Sequence, residues 1–267
     1  MLRRILAREV APNPSRFGGT VATGVIRQTN QRFEDLFFAG MAGVILVSVF
    51  VGFAKSYFLA GVFHAPLPNM LVHIHGAAFT LWILLLVTQI SLVSGGRVDV
   101  HRRLGLLVFG LACVMVVLGL LVATDSLARH YQPGEQGVEE RAFYAIPLAD
   151  ILMFSTLIYF AFRQRINPPA HKRLILIATL AILDAAYDRW PIHAAWWDFR
   201  VTPLLCCYPL LLLLMGYDKW STGKVQRVTL WATGFLIIVQ TGRIFIGRIV
   251  AWQIFATWVQ THARSFH

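Results

Sequence analysis

Charge is scarce in this sequence. Only 14% of its 267 residues are Asp, Glu, Lys or Arg, against 57% hydrophobic, where a soluble domain carries about 25% charged residues. That shortage excludes a soluble enzyme and a disordered chain, both of which need far more polar surface. Cysteine is scarce too: Cys113, Cys206 and Cys207 lie inside apolar runs without the spacing of a zinc or redox motif, which excludes a secreted disulfide scaffold. Acidic residues are outnumbered, 13 against 24 basic ones. The net charge of +11 does not point to nucleic acid, because the basic residues sit in short segments between apolar runs and read as topology signals. There is no HxxxH or HExxH helix, GxSxG elbow, P-loop or glycine-rich dinucleotide fingerprint, so proteolysis, serine acyl transfer and nucleotide hydrolysis have no support. At a mean hydropathy of +0.62, what remains is an integral membrane protein.

Runs poor in Asp, Glu, Lys and Arg and near 20 residues long predict an all-α polytopic bundle of seven transmembrane helices. They cover about 36–58, 71–94, 104–124, 142–162, 173–190, 201–217 and 228–248, the fifth and seventh interrupted by Asp184 and Arg243. Residues 1–35 carry six Arg, no signal-peptide core, and Pro12, Pro14, Gly18 and Gly19, which predicts an irregular basic arm with a short amphipathic helix at 2–10. The seven-helix domain then occupies 36–250, and 251–267 forms an interfacial tail. Placing the arm in the cytoplasm puts 16 of the 24 Lys and Arg on that side, whereas the 125–141 loop holds Asp125, Glu135, Glu139 and Glu140. The positive-inside rule therefore predicts an N-terminus inside and a C-terminus outside, with Trp190, Trp196, Trp197, Trp252 and Trp258 as interfacial anchors. No broken helix is obvious, although Pro147 and Pro209 would kink spans four and six.

Polar groups within a bilayer are costly, by about 2.5–3.5 kcal/mol for Asp or Arg at a helix centre, and those that persist are functional candidates. His75, Asp150, Asp184 with Asp188, and Arg243 fall on four spans at comparable outer depth. They predict a polar cavity for a metal, a proton relay or a ligand headgroup, with a packing ion pair as the alternative. His75, Trp82 and Gln89 recur at seven-residue intervals and form one inward stripe of span two. His73 is about 200° round a helix from His75 and cannot join it on one metal unless the entry turn after Pro66 and Pro68 is extended. On the cytoplasmic side, His101-Arg102-Arg103-Leu104 and His171-Lys172-Arg173-Leu174 each open a span. The echo hints at a duplicated helix-pair plan. With Gly105 one turn on, it suits bis-histidine haem ligation, the four basic residues meeting propionates; anchoring to anionic lipid is the plainer use of those residues.

The segments His73-Ile74-His75-Gly76, Trp82, Gln89, His101-Arg102-Arg103-Leu104-Gly105 and His171-Lys172-Arg173-Leu174 resemble a widespread group of uncharacterised bacterial multi-pass membrane proteins, over about residues 60–190. That group implies no activity to carry over. A more distant likeness is to four-helix haem b membrane proteins, which place histidines at the ends of consecutive helices and imply haem b on His101, His171 and His75. Seven-helix zinc hydrolases share the topology, but their paired histidines on the last span are absent. The sequence thus predicts a bacterial inner-membrane protein, redox or metal-linked, with haem b or a divalent metal as cofactor and anionic lipid at its cytoplasmic face. A non-catalytic accessory subunit of a larger membrane complex and a small-molecule or lipid transporter are the alternatives.

Overall fold

The computed structural model describes residues 15–66, 68–130, 134–191 and 202–264, with side chains from residue 32 onward except at 136, 204 and 264. The chain divides into two compact units, Met1–Phe38 and Ala39–His267. No strand occurs among the described residues, and ten α-helices account for most of them: α1 Ser15–Phe53, α2 Met70–Ser94, α3 Val98–Arg129, α4 Val138–Phe143, α5 Ala145–Arg163, α6 Pro168–Ala181, α7 Asp184–Tyr187, α8 Tyr208–Thr222, α9 Arg227–Ile246 and α10 Val250–Arg264.

Among the described residues, five stretches are long and apolar enough to cross a membrane: Arg32–Phe58, Met70–Ser94, Val98–Arg129, Val138–Arg163 and Arg227–Ile246. The fifth and sixth expected spans are interrupted instead. α6 ends at Ala181, and short bonds from Ile182 and Leu183 to the Thr179 and Leu180 carbonyls precede α7, so the chain does contain a broken helix. At the second residue of α8, Pro209 has no N–H for the Leu205 carbonyl, and the preceding Pro203–Cys207 widens into a π turn. In span four the break falls at Tyr144; Pro147 stands in the first turn of α5, where a missing N–H is harmless.

The irregular arm is corrected over residues 15–35, which are helical. No proline follows Pro14 there, and each glycine costs a helix only about 1 kcal/mol. The expected helix at 2–10, Pro12, Pro14, Trp196 and Trp197 lie outside the described residues.

Within the second unit, α2 packs on α3 and α5 on α6 as two helix hairpins; α3 joins them by packing on α5, and α9 packs on α5 and α6. Gly95 and Gly96, the latter at φ +73°, turn the first hairpin. Asn69 caps α2 by accepting from the Val72 N–H at 2.9 Å, and its amide reaches Asp125 at the far end of α3. His101 and His171 occupy matching positions, the first turn of the second helix in each hairpin, as the tetrapeptide echo suggests.

The tail forms α10, which packs on α3 and α4. Ala256 is wholly buried, Gln260 Nε2 donates to the Leu127 carbonyl at 2.8 Å and Trp252 Nε1 to the Arg141 carbonyl at 2.7 Å. Ile254, Phe255 and Trp258 on its other side are exposed.

Candidate functional site

The outer polar residues converge. Arg243, 3% exposed on α9, donates from Nη2 to Asp184 Oδ2 at 2.9 Å and from Nη1 to Asp150 Oδ1. Gln240, one turn earlier, donates to Asp184 Oδ2 at 3.0 Å. The cluster joins α5, α7 and α9, and Asp184 enters it where α6 is interrupted. Asp184 and Arg243 face the interior, as their depth requires.

Asp188 lies one turn beyond Asp184, and His75 makes no hydrogen bond to the cluster. Thr202 Oγ1 donates to Asp188 Oδ1. The His75 ring stacks on Phe79 with centroids 4.1 Å apart, and its Nδ1 is buried with no partner. Of the expected metal set His75, Asp150, Asp184 and Asp188, Asp150 and Asp184 are both bonded to the Arg243 guanidinium. No group of three His, Cys, Asp or Glu able to hold a metal occurs among the described residues. His73 lies on a different side from His75, its ring 5.4 Å from that of Tyr57.

The inward stripe of α2 is real at Trp82, which is buried, donates to Thr179 Oγ1 at 3.3 Å and meets Phe154 edge-on. Gln89 is half-buried, and its Oε1 has no partner.

At the inner end the rings of His101 and His171 face each other with centroids 6.4 Å apart at 81°. His171 Nδ1 lies 2.8 Å from the Ala161 carbonyl, which fixes the ring and leaves Nε2 free. His101 Nδ1 is buried and unpartnered. A shared metal with imidazole bonds of about 2.0–2.1 Å would set two centroids roughly 6 Å apart. The observed ring spacing is close to that separation. A side chain at Gly105 would come no nearer than 3.8 Å to Gln89 Nε2, so the wall there is uncrowded.

One expected propionate partner is withdrawn. Arg173 is 2% exposed and donates from Nε and Nη2 to Asp218 Oδ1 at 2.8 and 2.6 Å, and from Nη1 to the Pro169 carbonyl. Arg102 and Arg103 are exposed and available.

Asp218 is a buried, helix-joining carboxylate that the sequence alone does not single out. It is fully buried, and its Oδ2 also accepts from Thr229 Oγ1 at 2.6 Å and the Gln226 N–H at 3.1 Å, tying α6, α8 and α9 together. Beside Lys219 it reads as an ordinary helix-end charge. A signal lay in α9, where Thr229, Thr233, Gln240 and Arg243 fall at intervals of four, seven and three, all on one helical face.

No family model, curated protein or solved structure matches this chain.

Proposed function

We propose that this chain is a bacterial inner-membrane haem b protein that carries electrons, in which His101 and His171 would hold the haem. The observation that carries the reading is the pair of opposed rings, one fixed through Nδ1 by Ala161, at matching positions of two hairpins. A haem held there would supply one-electron exchange at the iron. Ala161 fixes the ligand orientation of His171, Gly105 leaves space beside the ring plane, and exposed Arg102 and Arg103 suit propionates or anionic lipid headgroups.

The same reading has seven crossings, N-terminus inside and C-terminus outside. α6–α7, α8 and α9 support it: Arg173, Asp218 and Thr229 share one end of these helices, while Asp184 and Gln240 share the other. The α6–α7 segment and α9 are thus matched at both ends, and α8 meets them at one, through Asp218. A haem-replete preparation is expected to have a Soret band that shifts on dithionite reduction and that weakens in His101→Ala and His171→Ala. A colourless, metal-free, folded protein overturns it and leaves the accessory-subunit reading, which the two buried ion-pair clusters favour because they join helices without needing a ligand.

A further inference from the structure

Helix α9 carries buried polar side chains on one face near both of its ends. Thr229 at one end bonds Asp218; Thr233 and Gln240 follow on the same face, and Arg243 closes the column against Asp150 and Asp184. All four α9 side chains are at most 7% exposed. Its other faces present Leu230, Trp231, Ile237, Ile238 and Phe245 outward, so the polar stripe is confined to the bundle interior.

Hydrogen bonding in this column is incomplete. Nine buried side-chain atoms lack a partner among the described residues, and four of them are Thr233 Oγ1, Gln240 Oε1, Asp184 Oδ1 and Arg243 Nε. Buried polar atoms in native proteins are almost always paired, and where protein supplies no partner an ordered water does. A cavity of about 410 Å³ adjoins the column's outer end, lined by Arg243, Arg248, Glu139, Glu140, Phe143 and Tyr144. At the inner end Asp218 connects through the Gln226 N–H, and Gln226 Nε2 donates to Thr222 Oγ1 at the exposed surface. Between Gln240 and Thr233, about 10 Å along the axis, α9 offers this face only the buried apolar Leu236.

We infer that α9 lines a hydrated path that conducts protons across the bundle, from the Arg248–Glu139 cavity through the Asp184–Arg243–Gln240 cluster and Thr233 to Asp218. A proton enters from outer water, is passed between oxygens by making one O–H bond as another breaks, and leaves to inner water near Thr222. The net event is one H⁺ moved down its electrochemical gradient, with nothing oxidised or reduced. Leu236 is the dry constriction that sets the rate, crossed by a transient file of waters. The break between α6 and α7 places Asp184 where backbone bonds are already irregular, as at ion sites built on interrupted helices.

The test uses the full chain in liposomes containing pyranine, with proton entry driven by a potassium gradient and valinomycin. Wild type is expected to carry flux above protein-free vesicles. Gln240→Leu is expected to lower it by about tenfold, equivalent to a barrier raised by about 1.4 kcal/mol, and Leu236→Ser to raise it. Thr233→Val, nearly isosteric, replaces Gln240→Leu if that variant fails to fold by circular dichroism. Wild-type flux equal to that of empty vesicles overturns the inference, as does flux unmoved by Leu236→Ser together with the folded polar-to-apolar variant. The inference does not depend on haem.

Discussion

Arg173 grips one carboxylate oxygen of Asp218 with two guanidinium nitrogens, at 2.8 and 2.6 Å, and both side chains are shut off from solvent. The partners lie on helices α6 and α8, 45 residues apart. A buried pair is worth little over apolar residues of the same volume, yet removing one member strands a charge at a cost of about 3–5 kcal/mol. Asp218→Ala is therefore expected to lower stability by about that amount, and Arg173→Met with Asp218→Leu to recover part of the loss, since Thr229 and the Gln226 N–H still lose their acceptor. Unfolding of the purified protein in detergent measures both; an additive double variant would contradict the pairing.

The outer cluster behaves differently, because Arg243 serves two carboxylates. Arg243→Met alone leaves Asp150 and Asp184 facing each other, and adding Asp184→Leu still leaves Asp150 unpaired. Only a triple variant that also carries Asp150→Leu is expected to regain stability. Full recovery in the double variant would mean that the Asp150 contact contributes nothing.

Gly52 lies where any side chain meets backbone: a Cβ there would sit 2.2 Å from the Ala186 carbonyl oxygen. Gly52→Ala must push α1 away from α7 and is expected to cost about 1–3 kcal/mol, the usual penalty of overpacking. Gly43, with open space around its Cβ position, is the matched control and should gain or lose little on becoming Ala.

Trp252 fastens α10 through the indole N–H to the Arg141 carbonyl at 2.7 Å, and Arg141 Nε in turn donates to Gln253 at 2.8 Å. Trp252→Phe keeps most of the ring contact with Tyr144 and loses the hydrogen bond. The expected effect is about 1 kcal/mol, visible as faster limited proteolysis within α10 with the rest of the protein unaffected.

For orientation, reporter fusions at Gly134 and at the C-terminus should behave as periplasmic and one at Ser221 as cytoplasmic. A cytoplasmic signal from Gly134 would refute the seven-crossing arrangement.

Long uniform helices were legible in sequence because apolarity alone specifies them: α2, α3 and α9 start and stop within several residues of their expected bounds. The convergence of Asp150, Asp184 and Arg243 was legible from depth, since a charge in that position must face inward. The interruption between α6 and α7 was not. No proline or glycine marks Ile182 and Leu183, and what stabilises the break is tertiary: a carboxylate at Asp184 bonded to Gln240 and Arg243 from a helix more than fifty residues later. Asp218 was hidden for the same reason, because its partner Arg173 belongs to a basic motif that reads as a surface cluster.

The bonds of Arg243 also impose an order on synthesis. Asp184 precedes it by 59 residues and Asp150 by 93. At about 5–20 residues per second of translation, the nascent chain holds those carboxylates without their cation for several seconds, until α9 leaves the ribosome. The interior is thus closed from the C-terminal side, and a product truncated before Arg243 would keep two uncompensated carboxylates, marking it for quality-control proteolysis rather than for a partly working fold.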